Sequence, residues 1–216
     1  FHLSGTSTAQ LEKAQAQVET RLAEWANQDT AYHALLQEAF LTTASSPAAT
    51  SLQTELCNNG LGIVLRLLSS DVLSGINGAY SNVSNKGDEF ILLNKDWLQS
   101  ATSEQIEAVL LEEIGHAIDW RLNGNRDTPG DEGELFSARL RGITPNPTAS
   151  TENDQRFVAL DGTTVIVETS VTDTTSPTGA LAIPGGYPPA YAAGTTNPFG
   201  TSNVCLLYTS DAADDT

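Results

Sequence analysis

The run Leu110-Leu111-Glu112-Glu113-Ile114-Gly115-His116-Ala117-Ile118-Asp119 decides how this chain is read. It lies inside a predicted helix that opens at Thr102, where Thr102 and Gln105 have the spacing of a capping box, and stops at Asn123-Gly124. Each helical residue turns the chain by about 100°, so Glu112, His116 and Asp119 fall within about 60° of one another. Glu113 sits about 60° to the side of His116, near enough to face the same cavity. A carboxylate and an imidazole one turn apart can share a cation, and a second carboxylate beside them can orient or deprotonate its water. Gly115 costs about 1 kcal/mol against alanine inside a helix, which is reasonable where another element packs closely.

Working outward, the N-terminal side reads as two helices. Ser7 with Gln10 has capping-box spacing, and Leu11, Ala14, Val18, Leu22 and Trp25 form an apolar stripe to about Asn27. Asp29 or Thr30 is expected to cap a second helix carrying Tyr32, Leu35, Leu36, Ala39 and Phe40, broken by the Ser/Pro/Ala stretch around 45–50. Gly62–Leu68 reads as a strand, glycines 75 and 78 punctuate the next region, and Glu89–Asn94 reads as a strand entered through Lys86-Gly87-Asp88. Beyond the motif a helix is expected from about Gly133 to Leu140. Arg156–Leu160 and Thr163–Glu168, joined by Asp161-Gly162, form a hairpin signature. The fold class is therefore α+β: N-terminal helices, a small sheet, the motif helix and a C-terminal β-hairpin, in one domain over residues 1–168.

Residues 169–204 are Thr/Pro/Gly/Ala-rich without periodicity and read as a linker or disordered tail. Residues 205–216, beginning Cys205-Leu206-Leu207-Tyr208, resemble a translated sequencing adapter and are set aside as an artefact. Cys57 then counts as a lone thiol. Removing Asp211, Asp214 and Asp215 moves the formal charge from −17 to −14, so the chain stays acidic. That balance excludes the basic footprint of nucleic-acid binding. No apolar run reaches the roughly 20 residues of a membrane span. The acidic, Ser/Thr/Asn-rich composition leads us to expect an extracellular or cell-surface protein. Phe1 stands where a methionine would begin a chain, which leads us to expect further sequence upstream and a longer multidomain protein. His2 and His33 are isolated, Trp25 and Trp97 fit packing positions, and Asn82-Val83-Ser84 fits a glycosylation sequon.

Glu112-Glu113-Ile114-Gly115-His116-Ala117 resembles the His-Glu-x-x-His helix of zincin metallopeptidases, whose metzincin variety often reads His-Glu-Ile-Gly-His-Ala. The first histidine is replaced by Glu112. The resemblance implies a zincin-like module with Glu112 and His116 as metal ligands, Glu113 as general base and Phe90–Asn94 as the strand bordering the cleft. Leu122 stands where a metzincin has its third ligand. In gluzincins a glutamate from the following helix serves, which points to Glu132 first, with Asp131 and Glu134 as alternatives. Asp119 is expected to support the His116 ring. A more specific likeness, to a domain of very large secreted bacterial surface proteins, rests on Ile76–Ala79, Leu110–His116 and Pro129–Gly133 together. The resemblance implies a divalent metal, zinc first. The oxygen-rich ligand set moves preference toward manganese, iron or calcium. A peptide or protein substrate would follow. The other reading is a non-catalytic structural or adhesion module that binds calcium or no metal.

Overall fold

A computed structural model describes residues 3–42, 46–58, 60–82, 89–124, 128–146, 155–160, 163–170 and 207–208. Three helices come first: α1 (Gly5–Ala26), α2 (Asp29–Phe40) and α3 (Pro47–Asn58). Strand β1 (Val64–Leu68), the single turn α4 (Ser70–Leu73), β2 (Gly78–Ser81), β3 (Phe90–Asn94) and a 3₁₀ turn at Trp97–Gln99 come next. The motif helix α5 (Ser103–Asn123) and α6 (Glu132–Arg141) lead into the hairpin β4 (Arg156–Leu160) and β5 (Thr163–Ser170). The fold is α+β, as the sequence indicates. No described helix is long and apolar enough to cross a membrane.

The strands form one mixed sheet in the order β4-β5-β2-β3-β1-β6, where β6 is the two-residue strand Leu207–Tyr208 lying parallel to Val64 and Leu65. That strand falls in the adapter-like stretch 205–216. β1 and β3 run parallel, while β2 pairs antiparallel with both β3 and β5. Strand alternation separates two cores. Leu65, Leu67, Tyr80, Ile91 and Leu93 face the helices, meeting Leu22 and Trp25 of α1 and Leu110, Ile114 and Ile118 of α5. Ala79, Phe90 and Leu92 face away and pack with Val158, Leu160, Val165 and Val167 of the hairpin. Each of these buried leucines, isoleucines and valines contributes roughly 1.5–3 kcal/mol.

Several boundaries differ from the sequence reading. Ser4, not Ser7, caps α1, its hydroxyl accepting from the Ser7 N–H at 3.1 Å. Gln10, expected to complete the Ser7 box, instead accepts from the Ser103 N–H at 3.1 Å and helps start α5. Helix α2 begins after Gln28 without a side-chain cap, and Asp29 accepts from Gln53 of α3 at 2.8 Å. Helix α3 was not expected. Pro47 opens it at the first helical position, where a missing N–H costs nothing, and Ser46 accepts from the Ala49 N–H at 3.0 Å. Strand β2 was hidden by its glycine: Gly78 is a ladder residue opposite Leu93 and Ser170. Strand β5 runs two residues past the expected boundary at Glu168. The Lys86-Gly87-Asp88 and Asp161-Gly162 turns, His2, Val83 and Ser84 of the sequon, and most of 169–216 lie outside the described residues.

Candidate metal centre

Helix α5 is the axis of the site. The Thr102 hydroxyl accepts from the Gln105 N–H at 3.3 Å and the Gln105 side chain accepts from the Thr102 N–H at 2.9 Å, closing the box expected from sequence. Gly124 ends the helix with φ 63°, a left-handed value that favours glycine. Between these ends α5 is covered on nearly every side, and Glu113 and His116 are fully buried. Helix α6 crosses it at a pair of glycines. A Cβ on Gly115 would stand 2.6 Å from the Gly133 Cα, and one on Gly133 would stand 2.6 Å from the Glu112 carbonyl and from His116 Nε2. The cost of Gly115 in a helix is thus offset by this close backbone approach, and the imidazole is wedged against Gly133.

Wedging leaves Nδ1 as the nitrogen that meets carboxylates. Glu132, the first residue of α6, places Oε1 2.9 Å from His116 Nδ1. Glu168 of β5 places Oε2 3.4 Å from the same atom. One ligand-type atom from each of His116, Glu132 and Glu168 lies within 4.8 Å of the other two. Glu168 gets there by register: it sits opposite Tyr80, so both side chains face α5, while its neighbours Val167 and Thr169 face the other way. Burial raises the Glu132 pKa, the hydrogen bond to His116 pulls it back, and the nearby Asp119 charge adds to the rise.

The other expected site residues have different duties. Glu112 lies outside the three-residue group, half-buried among Asp131, Glu113 and Glu134; burial and then those charges raise its pKa far above the usual carboxylate range. Asp119 supports a loop instead of the His116 ring. It accepts from the Thr128 hydroxyl at 2.5 Å, the Asn123 amide at 2.8 Å and the Thr128 N–H at 3.3 Å. That fastens the chain four residues before Glu132. Asp131 caps α6 by accepting from the Glu134 N–H at 2.7 Å, and Glu134 accepts from the Asn146 N–H at 2.9 Å. The sequence reading missed Glu168 as a site residue. Alternation assigns its face of the strand, but nothing local reveals that His116 lies across from that face.

A divalent ion suits this donor set. Tetrahedral ligands at roughly 2.0–2.1 Å from an ion stand about 3.3–3.4 Å apart, and the two Nδ1–oxygen separations, 2.9 and 3.4 Å, bracket that value with small shifts required. Two carboxylates and a neutral imidazole carry the charge that one divalent cation cancels. Comparison with protein-family models, with curated proteins and with solved structures found no match.

Proposed function

We propose that this chain is a divalent-metal-binding module of hydrolase-like, peptidase-like chemistry in which His116, Glu132 and Glu168 hold the ion. The reading is carried by the convergence of three ligand-type atoms from three separate elements within 4.8 Å. One imidazole and two carboxylates form a donor set for zinc, manganese or iron; calcium takes six to eight oxygens and is disfavoured. When bound, such an ion supplies Lewis acidity and lowers the pKa of water. Glu113, fully buried one turn before His116 on the same helix, is the proton acceptor in this reading. Glu112 is left out of the ligand set, which departs from the zincin-like pattern of its motif. The acidic composition favours an extracellular or cell-surface setting, within a larger exported protein.

A second reading has its own observation. The His116 and Glu132 side chains are only 0% and 2% exposed, so an ion there would also tie α5, α6 and β5 together without any turnover. Metal content by inductively coupled plasma mass spectrometry, measured beside His116→Ala, tests the shared premise. Near-stoichiometric zinc, manganese or iron that vanishes in the variant is expected, and no transition metal in either protein would refute the site. Glu113→Gln then separates the two readings. Loss of peptide hydrolysis with metal retained supports the hydrolase, whereas a metal-loaded wild type inert on a broad fluorogenic peptide set leaves the structural tie.

A further inference from the structure

The hairpin that delivers Glu168 carries a second feature. Phe157 and Ile166 are 75% and 53% exposed, the two large apolar side chains of the hairpin that its core leaves in water. They are register partners across β4 and β5, so they stand side by side. Ile166 is two residues before Glu168, which places the pair on the face that Glu168 turns to α5, one step along the strand from the ligand cluster. The valines on either side of Ile166, Val165 and Val167, face the opposite core. Strand β4 heads the strand order, so its outer backbone edge has no neighbouring strand among the described residues.

We infer that Phe157 and Ile166 form a binding ledge for a bulky apolar side chain of an extended peptide that pairs with the outer edge of β4. Two observations select that occupant. An extended peptide sets same-face side chains at the two-residue step of β4 itself, about 6.6–6.8 Å, so one of them can lie beside Phe157, and its backbone can pair with the open β4 edge as a hydrocarbon chain cannot. The formal charge of −17 opposes a second copy of this chain and favours a neutral or basic segment. Naming this peptide a substrate rests on the hydrolase reading; its binding to the ledge does not.

The test uses the full chain in EDTA and two dansylated heptapeptides, Ala-Ala-Lys-Phe-Lys-Ala-Ala and its Phe-to-Ser counterpart, followed by fluorescence anisotropy. The phenylalanine probe is expected to bind at least tenfold more tightly than the serine probe. The double variant Phe157→Thr/Ile166→Thr should reduce it to the serine level, with Ile166→Thr alone intermediate. Both changes are on solvent-exposed strand positions and leave a β-branched residue of high strand propensity there, so the hairpin is retained. Equal binding of the two probes, no binding of either, or unchanged binding by the double variant would each overturn the ledge. So would self-association that the double variant abolishes in sedimentation velocity, since the occupant would then be a second copy. Metal content of the same variant keeps the two ideas apart: metal retained with probe binding lost supports the ledge, and a metal-free wild type that still discriminates the probes sinks the metal centre alone.

Discussion

Helix α5 meets two carboxylate pairs from other parts of the chain, one at Arg121 and one at His116, and it meets them in opposite ways. Toward its C-terminal end Arg121 bonds Glu89 through both carboxylate oxygens, reaches Glu55 at 2.9 Å and donates to the Leu61 carbonyl at 2.6 Å. Tyr80 completes the knot by donating to Glu89 at 2.8 Å. Desolvation alone would lower the Arg121 pKa, but its bonds to Glu89 and the Glu55 charge outweigh it and the net shift is upward. Five residues back, the place of the guanidinium is taken by His116, whose ring is charged only when protonated, and Glu132 and Glu168 converge on it. The first cluster carries its cation within the chain. The second gathers one imidazole and two carboxylates, the donor types that a divalent ion takes. A permanent cation makes a clamp; a titratable one leaves room for exchange.

The clamp gives the largest expected effect. Arg121→Met removes the cation from Glu89 and Glu55 while keeping much of the side chain's packing. Burial of one uncompensated charge costs about 3–5 kcal/mol, and the partial exposure here lowers that to about 2–3 kcal/mol. Urea unfolding measures it, and a loss under about 0.5 kcal/mol would mean the network is decorative. Gly133→Ala comes next, at about 1–3 kcal/mol from overpacking, because its Cβ meets the Glu112 carbonyl and the His116 ring, and the first of these is backbone. The prediction separates the two clusters. Zinc binding, followed by isothermal titration, should fail in Gly133→Ala, while the Arg121 contacts lie outside that crossing and should hold a folded core together.

The parts legible in the sequence divide along the same line. Thr102 with Gln105 and Asn123 with Gly124 mark both ends of α5, because capping chemistry is local. The hairpin shows in its alternation, and Gly115 signals a close approach because a helix has little other use for it. Glu168 stays silent, since its role depends on β2 pairing β5 with Tyr80 opposite Glu168, a contact between residues 88 positions apart. Asp119 misled for a related reason. Helical spacing puts it near His116, yet the returning loop offers Thr128 as a better partner than the ring. Helix α3 was hidden by Pro47, which reads as a breaker until its place at the first turn is known.

Matched carboxamide substitutions sharpen the contrast, because opposite signs are expected. Glu89→Gln removes the charge that Arg121 holds at two oxygens and should cost about 1–2 kcal/mol. Glu168→Gln relieves the mutual repulsion of the two carboxylates that converge on the His116 ring and should stabilise the metal-free protein by about 0.5–1 kcal/mol. The same change should weaken zinc binding by more than the roughly tenfold that accompanies loss of a supporting residue around a metal. Thermal denaturation in EDTA and in zinc reads both effects. If Glu168→Gln destabilises the metal-free protein as Glu89→Gln does, the second cluster is a closed ion pair and the comparison collapses.

The smallest effect sets the floor for both clusters. Lys13 and Glu104 form a pair of the same chemistry, 3.2 Å apart, but their side chains are 58% and 66% exposed. Glu104 is held down to about 2, first by its own backbone N–H at the start of α5 and then by Lys13. A folded pKa below the unfolded one means that the stabilisation is present above about pH 4.5 and is lost as pH falls toward 2. Solvent screens the Lys13 share, so Lys13→Met should change stability by under about 0.5 kcal/mol at pH 7 and by still less once Glu104 is protonated. Urea titrations of both proteins at pH 7 and pH 2 read the difference. A Lys13→Met loss near that of Arg121→Met would show that burial is not what gives the clamp its strength, because the exposed pair has the charges without the enclosure.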